Sequence, residues 1–288
     1  MAQRYARIEA MNHEHPIKAM CEVLEVSRSG YYQWRSAQTS ARALQTEAIK
    51  VKIARVHEGS RRTYGSPRVT AALHEQGEQV GRNRVARLMK EAGLQGRQAR
   101  RYRVRTTDSA HDDPIAPNLL AEAPAPTKPD EVWVTDITYV ETGEGWLYLA
   151  GVLDLYSRRL IGWAMGSSLA TSLPLAALHM ALRRRRPGEG LLHHSDRGCQ
   201  YASADYRATL AEHGCIASMS RRGNCYDNAT MEAFWSTLKH ELIYRRRFST
   251  RDEATTAIFD YIESFYNRTR LHSALGFKSP LAYESNLN

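Results

Sequence analysis

One stretch of the sequence, at residues 131–140, reads EVWVTDITYV and has the pattern of a β-strand. Apolar and polar residues alternate in it, and β-branched and aromatic residues dominate. Asp136 lies in the middle of this predicted strand, where burying a carboxylate is costly unless a partner compensates its charge. The strand therefore raises the question of what surrounds this acid.

The chain that follows alternates between predicted strands and helices. Two further strands are predicted at 145–157 and 159–166, a helix at 172–186, a strand at 190–196, a helix at 201–214, a strand at 215–220 and a long helix at about 229–246. Three antiparallel strands followed by alternating helix and strand indicate an α/β fold, in which a mixed sheet carries helices on its faces.

Two more acids lie where such a sheet could bring them close to Asp136. Asp196 ends the fourth predicted strand, within HHSDRGCQY at residues 193–201, and Glu232 lies in the first turn of the last long helix. Three neighbouring carboxylates repel one another unless a cation neutralises them, and oxygen ligands suit Mg²⁺ or Mn²⁺. Such a site can hold two ions roughly 4 Å apart, which activate a water or 3′-hydroxyl and stabilise a leaving oxygen.

Other interpretations of these residues stay open at this point. A single aspartate in a strand is more often a structural acid than a catalyst, and Asp154 is a competing first acid. The neighbouring His193 and His194 would suggest zinc, but no Cys or His partner stands at a suitable spacing. We expect His194 to support the acids or to contact a ligand instead.

The basic charge of the chain is concentrated in its N-terminal third. Residues 1–105 contain 21 Lys and Arg and 9 Asp and Glu, whereas residues 131–288 contain 18 and 17, and the whole chain has a net charge of +9. A localised positive surface is the electrostatic pattern of a protein that binds a polyanion. Residues 1–105 are therefore predicted to bind nucleic acid.

Two helical pairs within residues 1–105 have the form of helix-turn-helix elements. They lie near 15–36 and 64–94, and the second pair has glycines at its turn and a basic second helix. The arginine-rich stretch GRQARRYRVRT follows at 96–106 and could track a phosphate backbone or enter a minor groove. The predicted DNA-contacting residues of this all-α region are Arg82, Arg84, Arg87, Arg100, Arg101 and Arg103.

Residues 106–130 separate this region from the predicted sheet. The segment contains five of the ten prolines and little hydrophobic periodicity, so it predicts a semi-rigid linker, with the core at 131–288. No apolar run approaches the roughly 18 residues of a membrane helix, and the N-terminus lacks the apolar centre of a signal peptide. The four cysteines form no C-x-x-C pair, and we expect a cytoplasmic protein with reduced thiols and no membrane contact.

Several longer stretches resemble one family of proteins. They are WVTDITYV, LAGVLDLYSRRLIGW, HHSDRGCQY, SRRGNCYDNATMEAFWSTLKHEL and FYNRTRLHSALGFKSPLAYE. With acids 60 and 36 positions apart, at Asp136, Asp196 and Glu232, they resemble the DDE transposases of bacterial insertion sequences. The resemblance is to the second-frame product of the insertion-sequence-three family, whose core is related to retroviral integrases.

The resemblance implies a fold, a reaction and a set of residues. The fold is a ribonuclease H-like core with a C-terminal helical extension. The reaction is cleavage at insertion-sequence ends, followed by transfer of the 3′-hydroxyl to a phosphodiester with two Mg²⁺ or Mn²⁺ ions. Asp136, Asp196 and Glu232 are the implied metal-binding catalytic triad, and Lys239, Asn224 and Asn228 are the implied contacts to the DNA end.

The resemblance also implies partners. These are double-stranded DNA as transposon end and target, further copies of the chain on that DNA, and an upstream-frame product with a helix-turn-helix and a leucine zipper, since this chain shows no sustained heptad. The implied location is cytoplasmic and nucleoid-associated. Two alternatives remain: a ribonuclease H-like nuclease without strand transfer, and a catalytically silent DNA-binding regulator, which would bind DNA without metal-dependent cutting.

Overall fold

The computed structural model describes residues 1–38, 41–97, 114–221 and 228–285. The chain forms two compact units, Met1–Gly96 and Arg97–Asn288. The first unit is helical in its described part, and the second is built on a mixed sheet, so the predicted fold class is confirmed.

The first three helices of the first unit share a small core. They are α1 (Ala2–Met11), α2 (Ile17–Val23) and α3 (Arg28–Gln38). The buried residues of this core are Ile8, Met20, Cys21, Val26 and Tyr31. Ser27 accepts a hydrogen bond from the Gly30 amide (3.0 Å), so it caps the start of α3.

The next three helices pack against one another in the same unit. They are α4 (Ala41–Gly59), α5 (Ser66–Glu75) and α6 (Arg82–Glu91). Pro67 lies in the first turn of α5, where backbone N–H groups have no partner within the helix, so the absence of an N–H in proline costs no hydrogen bond. Gly77, in the turn between α5 and α6, has a φ of 82°. The apolar stripe of α6 is buried at Val85, Leu88 and Met89. The second helical pair is therefore present where its periodicity placed it.

Five strands form the sheet of the second unit, in the order β3-β2-β1-β4-β5. They are β1 (Val132–Thr142), β2 (Gly145–Asp154), β3 (Leu160–Gly166), β4 (Leu192–Ser195) and β5 (Ile216–Met219). β1 is antiparallel to β2 and parallel to β4, which also runs parallel to β5. The first and fourth of the predicted strands are thus neighbours in the sheet.

Six helices accompany this sheet among the described residues. They are α7 (Ser172–Arg185), α8 (Cys199–Ala202), α9 (Ala204–Glu212), α10 (Ala229–Glu241), α11 (Arg251–Asp260) and α12 (Pro280–Ser285). The single helix predicted at 201–214 is two, because the chain bends at Ser203, whose side chain caps α9. The long helix predicted to reach residue 246 ends at Glu241, followed by a 3-10 turn at Ile243–Arg245.

The two faces of the sheet receive different helices. The main apolar core joins Trp133, Ala150 and Val152 on one face to buried residues of α7, α8 and α9. Gly162 on β3 permits the close approach of α7, because a Cβ there would lie 2.2 Å from the Ala177 carbonyl oxygen. α10 packs on the other face, over β2, as its contacts with Gly151 show.

The described part of the proline-rich segment is held against this core. The Leu119 amide donates to Ser218 Oγ (3.0 Å), and the Asp130 amide donates to the buried carboxylate of Asp154 (2.8 Å). Residues 114–130 therefore lie along the second unit, and residues 98–113 lie outside the described part of the chain. No helix among the described residues is both long and apolar enough to cross a bilayer.

Candidate functional site

The register of the sheet aligns Asp136 with Asp196. In the parallel β1–β4 pair, Val132 faces Leu192 and Val134 faces His194, a constant offset of 60 positions. Asp136 and Asp196 are separated by the same 60 positions, two residues beyond the last paired ones. Because side chains alternate between faces with period 2, the two carboxylates leave the sheet on the same side, at the same level.

Asp136 is held by two hydrogen bonds in a desolvated position. Its Oδ1 accepts from the amide of Ile137 (2.8 Å), and its Oδ2 accepts from Trp235 Nε1 (3.0 Å). Burial, together with the negative charges of Asp196 and Glu232, raises the pKa of Asp136 from 3.8 to about 8, although the two hydrogen bonds act in the opposite direction. The carboxyl group therefore lies where a cation would relieve a large electrostatic penalty.

Asp196 is oriented by the turn that follows β4. Its Oδ1 accepts from the Gly198 amide (2.9 Å). Just before it, the buried His194 ring contacts Ser218 Oγ and Ser220 Oγ, both at 2.9 Å, and so ties β4 to β5. His194 thus supports the strand that precedes Asp196, which is one of the two roles expected for it. Both of its ring nitrogens contact serine hydroxyl groups, so neither is free to bind zinc.

Glu232 lies in the first turn of α10 with an exposed side chain. Its charge acts on Asp136, yet the described residues contain no group of three His, Cys, Asp or Glu side chains that could hold a metal ion as they stand. The aligned aspartates fit a hard divalent cation by their oxygen donors and their mutual repulsion. Glu232 is close enough to influence this pair without completing a three-ligand cluster.

α10 reaches the aspartates because β2 has a glycine opposite Asp136. Gly151 pairs with Asp136 in the β1–β2 register. A Cβ on Gly151 would lie 2.7 Å from Met231 Cε and 2.9 Å from Trp235 Cη2. Only glycine leaves room for this pair of side chains, and their packing places the Trp235 indole N–H on Asp136.

Replacing Gly151 with alanine should therefore disturb the site as well as the packing. We expect a loss of about 1–3 kcal/mol in the free energy of unfolding, because the added methyl group overpacks a buried contact. We also expect weaker Mg²⁺ binding, because the Trp235 ring that orients Asp136 must move. Urea unfolding and calorimetric Mg²⁺ titration measure the two effects. Gly188→Ala is the matched control, since a Cβ at Gly188 meets nothing within 4 Å; equal effects of both substitutions would contradict this role for Gly151.

The predicted contacts to the DNA end occupy different environments. Lys239 is partly buried on α10, and desolvation lowers its pKa while the charge of Asp136 opposes that shift. The prediction of a DNA contact at Asn228 is not supported by its position: the residue is only 8% exposed, and its Nδ2 donates to the Thr135 carbonyl (3.1 Å). Asn228 instead attaches the start of α10 to β1. Asn224 lies outside the described residues.

The predicted arginine contacts fall into three groups. Arg82 and Arg87 are exposed on α6, where they are available to a phosphate backbone, although Arg87 also lies 3.8 Å from Glu91. Arg84 is partly buried and donates to Thr46 Oγ1 on α4 (3.0 Å), so part of its role is to hold α6 in place. The others, Arg100, Arg101 and Arg103, lie outside the described residues.

Two residues near the acids were missed or assigned a lesser role by sequence reasoning. Trp235 is buried, and it is also a hydrogen-bond donor to Asp136. Gly151 carried no signal beyond being a glycine inside a strand pattern, which often marks a close approach of another group. Asp154, the competing first acid, is fully buried and accepts from Ser157 Oγ (2.9 Å) and from two amides, so it has a structural role.

Comparison with known proteins gives consistent similarities. The family model described as an HTH-like domain matches residues 44–102, and two models described as integrase core domains match 126–225 and 232–287. The chain is 52% identical, over 92% of its length and 97% of the relative's, to the insertion element IS600 uncharacterized 31 kDa protein of Shigella sonnei. It is 40% identical to transposase InsF for insertion sequence IS3A of Escherichia coli, over 98% of both chains. Among solved structures, a simian T-cell lymphotropic virus intasome in complex with PP2A regulatory subunit B56 gamma is 14% identical, with a TM-score of 0.47 over 80% of this chain and 74% of that chain.

Proposed function

Because this chain belongs to the IS3 family of insertion-sequence transposases, we propose that it cleaves insertion-sequence ends and joins the freed 3′-hydroxyl to a phosphodiester, with Asp136, Asp196 and Glu232 as catalytic carboxylates. The resemblance inferred from the sequence motifs is confirmed by these relatives, and the chain is a DNA transposase of the polynucleotidyl transferase class. The assignment of individual residues is the part proposed here.

The observation that carries the residue assignment is the shared register of Asp136 and Asp196. Two carboxylates on neighbouring parallel strands, one with its pKa raised to about 8, are stable together when a cation lies between them. Mg²⁺ or Mn²⁺ fits this donor set, and in a two-ion site it would activate the attacking oxygen and stabilise the leaving one. Glu232 would complete the set from the first turn of α10.

The surrounding residues have positioning roles in this proposal. Trp235 and the Ile137 amide fix the two oxygens of Asp136, and the Gly198 amide fixes one oxygen of Asp196. Lys239 places a positive charge on the same helix as Glu232, two turns further on, where a DNA phosphate could approach. These contacts orient the carboxylates before DNA binds, which limits the reorganisation needed during the reaction.

The proposal extends to partners and location. Double-stranded DNA is bound as transposon end and as target, with Arg82 and Arg87 on α6 contacting the backbone. Two ends must be brought together, so we expect a homo-oligomer on DNA, assisted by the upstream-frame helix-turn-helix and leucine-zipper product. The site of action is the bacterial cytoplasm, at the nucleoid.

A strand-joining assay tests the function. Purified protein is mixed with a labelled duplex that carries the element's end and with a plasmid, in Mg²⁺ or in EDTA. We expect joined product only with metal, its loss in Glu232→Gln, and its retention in Glu212→Gln, an exposed acid on α9. Metal-dependent cutting without joining, even after the upstream-frame product is added, would favour the nuclease. DNA binding with no metal-dependent reaction in either the wild type or the variant would favour the regulator.

A further inference from the structure

We propose that Tyr139 and Trp146 form a stacking platform for an unpaired DNA base next to the catalytic carboxylates. This inference deepens the proposed function, on which it rests, because it names the part of the DNA that this surface binds. The stacking platform is defined as the two rings together with the ammonium group of Lys239.

The platform lies on the β1–β2 hairpin just beyond Asp136. Tyr139 is three residues after Asp136, about 10 Å along the strand, and the alternation of β1 directs its side chain to the face of the sheet opposite the Asp136 carboxylate. β4 pairs with β1 only from Val132 to Val134, so it does not cover this part of the strand. Trp146 lies at the start of β2 and is 46% exposed, a high value for the largest side chain in proteins. A DNA strand that passes from the carboxylates over this uncovered edge of β1 would therefore reach the platform.

The two rings form a defined pair. Their centroids are 5.0 Å apart and their planes meet at 83°, the edge-to-face arrangement that aromatic rings prefer. The Arg251 guanidinium donates through Nε to the Trp146 carbonyl (3.1 Å), and the Arg251 amide donates to Glu144 Oε2 (2.8 Å). The hairpin is thus tied to the start of α11, so an incoming base would meet a surface that is already ordered.

Charge distinguishes this surface from an ordinary exposed aromatic pair. Lys239 Nζ lies 5.1 Å from the centroid of the Tyr139 ring, within the range of a cation–π contact. Lys239 also interacts with the charge of Asp136, so one cation interacts with both the carboxylate and the Tyr139 ring. Aromatic rings beside a positive charge are the arrangement with which proteins bind single-stranded nucleic acid, since every base offers a π-face and every nucleotide a phosphate.

An unpaired base fits this surface better than a paired one. Inside a duplex both faces of each base are covered by its neighbours, so an internal base can cover a protein ring only after it has left the stack. Strand transfer requires a 3′-terminal nucleotide to reach the carboxylates, and a nucleotide beside it that leaves the duplex loses its stacking on the neighbouring bases. Stacking on Trp146 or Tyr139 would compensate for the base stacking lost there.

Fluorescence of 2-aminopurine tests the platform without catalysis. The probe is a duplex with a short unpaired 3′ overhang that carries 2-aminopurine, compared with the same duplex fully paired. We expect the full-length protein to quench the overhang probe and to bind it on the order of tenfold more tightly than the paired one. Trp146→Ala and Tyr139→Leu should lose both the quenching and the preference, whereas Tyr139→Phe, which keeps the ring, should retain them.

Phe259→Ala is the matched control for removal of an exposed aromatic side chain. Phe259 is 50% exposed and forms its own edge-to-face pair with Trp163, at 5.7 Å, away from the β1–β2 hairpin. Unchanged quenching and preference in Trp146→Ala and Tyr139→Leu, or an equal loss in Phe259→Ala, would overturn the platform. Because the readout is binding, it remains decisive if strand joining fails, and failure of joining with intact quenching would count against the proposed reaction alone.

Discussion

Replacing Asp136 with asparagine should lower the rate of strand joining at least about a thousandfold and should remove much of the pH dependence of stability in metal-free buffer. The loss of joining follows from the loss of a metal-binding carboxylate, since the ion supplies several kcal/mol of charge stabilisation and each 1.36 kcal/mol changes the rate tenfold. The change in stability has a separate origin, in the burial of the carboxyl group.

The direction of the stability change follows from the pKa of Asp136. Burial, with the charges of Asp196 and Glu232, raises this pKa from 3.8 to about 8. Between these two values the unfolded chain has released the proton while the folded chain still binds it, so the unfolded state gains stability as pH rises. The free energy of unfolding should therefore fall between about pH 4 and pH 8 in the wild type. Asparagine does not ionise, and its variant should lack this contribution.

Urea unfolding with EDTA at several pH values between 5 and 9 measures this difference. Wild-type stability should fall more steeply with pH than that of Asp136→Asn, and Mg²⁺ at pH 8 should raise the stability of the wild type only. Glu141→Gln is the matched control, because Glu141 is an exposed acid on the same strand. Equal pH dependence of stability in wild type and Asp136→Asn would show that ionisation of Asp136 is not its cause.

The sequence predicted that Asp136 and Asp196 could lie close together because both belong to predicted strands of one sheet. Each acid is fixed to a strand whose alternation or short apolar run is visible locally, and a parallel pairing of those strands brings the acids together. Val85 and Leu88 of α6 were equally predictable, since helical periodicity marks the buried face of an amphipathic helix. The periodic patterns of the sequence therefore predicted which face of a strand or helix each of these residues occupies.

What the sequence could not predict depends on contacts between distant elements. The hydrogen bond from Trp235 to Asp136 requires a particular rotation and height of α10, which Gly151 permits by lacking a side chain. In the sequence, Asn228 has the character of a polar loop residue. In the structure its side chain is buried, because the start of α10 packs on β1. The bend at Ser203 follows from a local cap that competed with a continuous helical pattern.

Replacing Arg270 with methionine should destabilise the protein by about 3–5 kcal/mol, because it would leave the carboxylate of Glu241 buried without a counter-charge. Arg270 Nε and Nη2 donate to the two oxygens of Glu241 at 2.9 and 2.7 Å, and both side chains are only 5% exposed. The Tyr261 hydroxyl adds a third hydrogen bond to the same carboxylate, at 2.7 Å. The geometry is bidentate, which makes this pair much stronger than a surface ion pair.

The position of this ion pair connects it to the catalytic helix. Glu241 is the last residue of α10, the helix that begins with Glu232 in its first turn, and Arg270 follows the π-helical segment Tyr261–Tyr266 of the C-terminal extension. Next to Tyr266, Asn267 forms two hydrogen bonds with the backbone of Leu160 on β3, at 3.0 and 2.9 Å. The extension thus joins the end of α10 to the sheet edge, and we expect strand joining to decline with the loss of the ion pair.

A double substitution distinguishes the destabilisation caused by an unpaired buried charge from the net contribution of the ion pair to the free energy of unfolding. Arg270→Met with Glu241→Met removes both charges and should recover much of the stability lost in Arg270→Met alone, because no buried charge remains uncompensated. Arg184→Met is the matched control: Arg184 lies 2.9 Å from Glu263, but its side chain is 39% exposed, so its loss should cost at most about 1 kcal/mol. Urea unfolding of the four proteins measures these differences. If Arg270→Met proved no more harmful than Arg184→Met, the ion pair could not be what fixes the end of α10, and the attachment would have to rest on the apolar contacts of Ile262 and Phe265.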